Sequence, residues 1–307
     1  MRAKVISIIL IMLISIIPSS TAGQPENLDK VGAVFGGVQI NATSSANITL
    51  EFSELPAIVE DYTATWCTNC VEVEHALDDV EETNHMQQYH FHRFISENED
   101  PLGSQEGDER WIERYEQRIP PTVIFNGTIQ QIGSVPASDS LQEDYNTNLQ
   151  NYLGIGSGFS SLGWIPDEGN MSGVVAWNLN VDMSNFPANS TIKSSIWVVE
   201  DLAYFPDGSN GENYYHESVR AIIELGENQT GTMEITLPSA YDDNDLEIHL
   251  IHEVILPKVI DAEEEDNSED SVEEEDSDED GVLPSIGLLP VLALTMFAAI
   301  IAQRKQQ

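Results

Sequence analysis

Cysteine is nearly absent from this chain, and positive charge is scarce. Only Cys67 and Cys70 occur among 307 residues, and 12 lysines and arginines stand against 53 aspartates and glutamates. Two thiols cannot build a disulfide framework, and a zinc site made on them needs two further ligands. The formal net charge of −41 repels phosphate backbones and anionic headgroups, so nucleic acid is excluded as a partner. The run Asp261 to Asp280 supplies 14 of the acids, so the rest of the chain is acidic as well. Such a surface suits solubility at high salt and does not specify an activity.

Long apolar runs are also few, one at each end. Arg2 and Lys4 precede the run Val5 to Ile17, and "PSSTAG" follows. A basic start, a short apolar stretch and small residues at Ser20 and Ala22 predict a signal peptide over 1–22. At the other end, Val282 to Ala302 carries no charge and is long enough for a hydrocarbon core of about 30 Å. Arg304 and Lys305 then predict a cytoplasmic tail, 303–307. The expectation is an ectodomain outside the cytoplasm, held in the cell membrane by one transmembrane helix, 282–302. This run also resembles archaeal C-terminal sorting signals, which implies exchange of the helix for a lipid as an alternative. Six Asn-x-Ser/Thr sequons fit export: Asn41, Asn47, Asn126, Asn170, Asn189 and Asn228. The last four read as turns or loops, where glycans could sit.

Between the ends the pattern changes twice. Over 23–153 strand and helix signals alternate. "AIVEDY" and "HFHRFIS" read as strands, and "CVEVEHALDDVEE" has Val73, Ala76, Leu77 and Val80 at helical spacing. "DERWIERYEQ" and "SDSLQEDYNTNLQNYL" read as helices, and "TVIFNGTIQQI" as a hairpin about Asn126-Gly127. The Gly/Ser-rich stretch 154–163 reads as a linker. Over 164–258 the period becomes two, with turn-rich gaps, which predicts an antiparallel β-sandwich. Residues 259–281 are too acidic to form a core and read as a disordered stalk.

"DYTATWCTNC" carries the chemistry. A strand leads into Trp66 and Cys67, and a helix begins there. Free N–H groups and the helix dipole at that end favour a thiolate on Cys67. A thiolate attacks a disulfide, and Cys70, one turn on, can resolve the mixed disulfide. Glu72 and Glu74 in the same helix oppose the thiolate.

With "IPPTVIFNG" downstream, the segment Asp61 to Gly133 resembles the thioredoxin superfamily. The resemblance implies an α/β thioredoxin-like domain followed by the all-β antiparallel sandwich. It implies Cys67 as attacking and Cys70 as resolving thiol, with Asp61 as the buried carboxylate that relays a proton to Cys70. Trp66 would cover the disulfide. Pro120, Pro121 and Thr122 would form the substrate-binding strand, with Pro121 cis and Pro120 lacking the N–H that normally pairs with substrate. The Thr68-Asn69 dipeptide departs from the family's usual pairs and supplies no imidazolium. The expected potential is therefore nearer thioredoxin's, about −270 mV, than the roughly −120 mV of a strong oxidant. "IWVVEDLAYFPDGSNGENYYHESVRAIIEL" resembles the sandwich that follows a thioredoxin-like domain in certain bacterial outer-membrane proteins, with His216 and Arg220 in the shared block.

The function expected is thiol–disulfide oxidoreductase, without cofactor, acting on the thiols and disulfides of exported proteins and served by a redox partner protein. The rival is a cell-surface binding or adhesion protein whose sandwich carries the function and whose CxxC is a structural or vestigial disulfide. A third reading is a metallochaperone. No metal site is assigned: His75 beside the cysteines is an ordinary helix-face residue, and His90 and His92 share a strand face without a third ligand.

Overall fold

A computed structural model of the chain describes residues 23–151, 153–169 and 171–257. The expected signal peptide, the acidic stalk 259–281, the apolar run 282–302 and the tail lie outside them. Among the described residues no helix is long and apolar enough to cross a membrane.

The elements are β1 (Glu26–Asn27), β2 (Val34–Asn41), β3 (Ala46–Glu51), β4 (Ala57–Thr63), α1 (Thr68–Glu81), β5 (Met86–His92), α2 (Gln105–Tyr115), β6 (Thr122–Phe125), β7 (Ile129–Ile132) and α3 (Leu141–Leu149). β8 (Phe159–Pro166), β9 (Ser172–Asn180), β10 (Thr191–Tyr204), β11 (Tyr214–Gly226), β12 (Thr230–Thr236) and β13 (Leu246–Ile255) complete them.

The expected fold class is corrected by the way these strands pair. The chain is mostly β, and no separate α/β thioredoxin-like domain stands before a sandwich. One mixed nine-stranded sheet runs β1-β7-β6-β4-β5-β11-β10-β13-β2, and a four-stranded sheet runs β12-β9-β8-β3. β5 pairs in parallel with β4 on one side and meets β11 at Ser218 and His90 on the other. β2 and β3, early in the chain, pair with β13 and β8 from its later part. The stretch 154–163 is not simply a linker, because Phe159 to Gly163 belongs to β8. Local motifs report strand–helix order, but the pairing of a sheet edge depends on residues far along the chain.

Alternation along each strand builds three layers of contacts. Val38, Ile40, Ile196, Val198, Ile248 and Leu250 pack against Leu162, Trp164, Val175 and Trp177 of the smaller sheet. Ile58, Tyr62, Tyr89 and Phe91 pack with Trp111 and Tyr115 of α2. Val59 and Val123 lie on the other face with Val73, Leu77 and Val80 of α1 and Tyr145 of α3. The caps follow from sequence: Ser104 accepts from Gly107 N–H at 3.1 Å and Ser140 from Glu143 N–H at 3.2 Å.

The β6–β7 turn uses Asn126 and Gly127 at φ 50° and 72°. A Cβ on Gly127 would lie 2.5 Å from Val34 Cγ2 and 2.9 Å from its backbone nitrogen, so glycine is required there. Asn126 corrects one expected glycan site. It is 4% exposed, and its side-chain carbonyl accepts Ile58 N–H at 2.8 Å. Asn126→Ala should therefore destabilise the protein by about 1–3 kcal/mol, because Ile58 N–H loses its partner in a dry setting. Urea unfolding of the two proteins measures this, and a change below about 0.5 kcal/mol would mean that water replaces the amide.

Candidate functional site

The site begins where β4 ends. Cys67 is the N-cap of α1, its N–H donates to Ala64 C=O at 2.9 Å, and Cys70 N–H donates to Cys67 C=O at 3.1 Å. The two sulfurs form a disulfide. Cys70 is fully buried and Cys67 is 6% exposed. The first helical turn carries no acid, so the dipole end beside Cys67 is not neutralised there.

Trp66 and the turn around it are held from several sides. Trp66 Nε1 donates to Glu97 Oε2 at 2.9 Å, and the Arg93 guanidinium lies 5.7 Å from its ring centroid. Asp100 accepts Thr65 N–H at 2.8 Å and faces His92 Nδ1 at 2.8 Å. Burial raises the Asp100 pKa, but His92 and the backbone donors Leu102 and Thr65 outweigh it and hold the carboxyl below its ordinary range. The β10–β11 loop reaches the same turn, where Asn210 N–H donates to Thr65 C=O at 3.1 Å. Asp100 and Asn210 thus fix the approach to Cys67. Sequence reading missed both, since neither belongs to a motif and their partners are distant in sequence.

The other expected residues gather at the same end of the sheet. The Pro120–Pro121 peptide bond is cis. Thr122 pairs with Tyr62 of β4, one residue before Thr63 closes that strand. Thr122 Oγ1 donates to Ile119 C=O at 2.6 Å, and Pro121 C=O accepts from Gly133 N–H at 2.9 Å. Tyr62 Oη donates to Asp108, which also accepts Phe94 and Ile95 N–H and pairs with Arg118 at 2.8 Å. Phe94 and Ile119 remain exposed, one beside Arg93 in sequence and the other beside Pro120.

Asp61 is fully buried, and its Oδ2 lies 3.1 Å from His90 Nδ1. Its Oδ1 is buried and has no partner. Glu74 turns inward from α1 and accepts from Thr63 Oγ1 at 2.5 Å. Burial holds the Glu74 carboxyl above its ordinary range. Burial lowers the His90 pKa, but the hydrogen bond and charge of Asp61, aided by Glu74 and Glu217, raise it to about 9. The expectation that His90 lacks further ligand-type neighbours is corrected by this cluster. The register of β4 against β5, Asp61 beside His90, is the signal that sequence alone did not supply.

His216 and Arg220 do not form a pair. Arg220 lies 3.2 Å from Glu200 and donates to Leu102 C=O at 2.7 Å, and His216 is exposed. His75 is exposed and lies 3.9 Å from Glu212.

No protein-family model and no curated protein matches the chain. Among solved structures it is similar to HBP35 of Porphyromonas gingivalis, at 12% identity over 65% of this chain and 63% of that one, with TM-score 0.41. It is also similar to a structural-genomics protein of Agrobacterium tumefaciens, at 14% identity over 59% and 78% of the two chains, with TM-score 0.37. The chain thus spans less than two thirds of HBP35, and likenesses at these scores carry no weight for fold or function.

Proposed function

We propose that the protein exchanges thiols and disulfides with exported proteins through Cys67 and Cys70. In the reducing direction the Cys67 thiolate attacks a substrate disulfide, forms a mixed disulfide and expels one substrate thiolate. The Cys70 thiolate then attacks Cys67 Sγ, closes the Cys67–Cys70 bond and expels the second. The substrate gains two electrons and the enzyme pair loses them; oxidation is the reverse.

The observation that carries this reading is the unequal setting of the two sulfurs. Cys67 keeps a small exposure, 6%, at the positive end of α1, whereas Cys70 is fully buried. A purely stabilising bridge three residues apart closes too short a loop to remove much chain entropy. Exposed Phe94 and Ile119 provide apolar contact for an extended substrate.

Trapping tests the proposal. With disulfide-bearing exported proteins, reduced Cys70→Ser should accumulate mixed disulfides through Cys67, and Cys67→Ser should accumulate none. In the reduced wild type, Cys67 should alkylate well before Cys70. Equal trapping by both variants, or by neither, favours a binding protein with a structural disulfide.

A further inference from the structure

Strand alternation places Asp61 and Thr63 of β4, and Gln88, His90 and His92 of β5, on the face beneath α1. Gln88 reaches Asp78 and Glu81, Thr63 reaches Glu74, and His90 reaches Asp61. Two carboxylates and an imidazole therefore meet in a layer of limited water access. Asp61, Glu74 and His90 each bring a ligand-type atom within 4.8 Å of the others. Among the described residues no lysine or arginine pairs with either carboxylate; the charge partner of Asp61 is His90. Asp61 Oδ1 is buried and unpartnered, a state that is costly for a carboxylate oxygen.

We infer that Asp61, Glu74 and His90 form a binding site for a divalent first-row transition ion, with Zn2+ the best fit to the donor set. The 3.1 Å between His90 Nδ1 and Asp61 Oδ2 is close to the edge, about 3.3 Å, of a tetrahedron with metal bonds of roughly 2.0–2.1 Å. The imidazole favours such an ion over Mg2+ or Ca2+, which prefer oxygen-only shells. Three protein ligands leave a fourth position. Beside Glu74 and His90 lies a cavity of about 240 Å3, also lined by His92, Tyr214 and His216, with room for water or a small ligand there. Asp61 binding the ion through both carboxylate oxygens would also give its Oδ1 a partner. None of this uses the sulfurs, so the site exists with the disulfide closed, and it does not depend on the exchange activity.

Zn2+ titration of the full-length protein, by calorimetry and native mass spectrometry, tests the site. Millimolar Mg2+ is present throughout to occupy the acidic surface. One Zn2+ per chain should bind tightly to the wild type and to Cys67→Ser/Cys70→Ser. Affinity should fall at least tenfold in His90→Gln and in Glu74→Gln. Glu74 is half-buried on a helix, and glutamine keeps an acceptor for Thr63, so this variant preserves the fold; thermal unfolding checks it. Co2+ substituted into the wild type should give the intense visible absorption of tetrahedral coordination, lost in Glu74→Gln. Three results would overturn the inference: no tight ion, several equivalent weak ions unaffected by Glu74→Gln, or binding abolished by the cysteine replacements.

Discussion

Arg110→Ala should lower the free energy of unfolding by about 3–5 kcal/mol, the range for stripping the partner from a buried charge. Arg110 projects from α2 between two acids, 2.7 Å from Glu60 Oε2 and 2.7 Å from Glu253 Oε1. Tyr115 donates to the other Glu60 oxygen at 2.6 Å, and the guanidinium lies 4.8 Å from the Trp197 ring centroid. Burial raises the Glu60 pKa, and Arg110 is the strongest influence holding it down. Without the guanidinium, Glu60 must take up a proton or remain charged and dry. The deficit should therefore shrink as pH falls from 8 to about 5, where a proton replaces the lost partner. The melting temperature should drop on the order of 10 °C. Arg110→Met with Glu60→Gln should recover much of the loss, since removing both charges is far less costly than orphaning one. If the single and double variants are equally destabilised, the arginine acts through packing on the aromatic rings and not through charge.

His252 gives a second large effect, read as a difference between proteins across pH. Its ring is fully buried between two hydroxyls, with Ser160 Oγ and Ser194 Oγ each 2.8 Å from a ring nitrogen. Burial depresses its pKa to about 3, against about 6.5 in an unfolded chain. Below pH 6.5 the unfolded chain binds a proton that the folded protein refuses. The stability this histidine contributes is thus complete above that pH and is lost as pH falls toward 3. His252→Gln removes the titration but also disturbs the serine contacts, so it should be the weaker protein at pH 7.5. By pH 4.5 the gap should have narrowed, by up to about 2.7 kcal/mol, since each pKa unit is worth about 1.36 kcal/mol. Carboxylates common to both proteins cancel in this comparison. Denaturant unfolding at the two pH values measures it, and a gap independent of pH would mean that the folded ring takes up the proton.

Much of the local structure was legible. Val73, Ala76, Leu77 and Val80 mark the inward face of α1, and Asn126-Gly127 marks the hairpin. Cys67 and Cys70 stand at the helix start as their spacing requires. β2, β3 and β8 were not legible as strands. In β2 the pair Gly36-Gly37 interrupts the apolar pattern, yet both adopt positive φ, and Gly36 lies at the register shift between Leu250 and Ile251 of β13. β3 sits among sequons and turn residues. In β8, small residues read as linker because the reason for them is remote: Ser160 is buried against His252. The candidate site divides in the same way. The sulfurs follow from local order, whereas the cluster of Asp61, Glu74 and His90 depends on a strand register and on the rotation of a helix above it.

The pairing of β2 with β13 carries a consequence in time. Residues 34–41 emerge early in synthesis, and their partners, 246–255, come some two hundred residues later. Until then β2 has no neighbour on that edge, and β3 waits similarly for β8. Contacts this far apart in the chain favour slow, late completion, with open strand edges prone to pairing with other molecules in the interval. The dense negative charge of the sequence keeps those half-made chains apart while they wait.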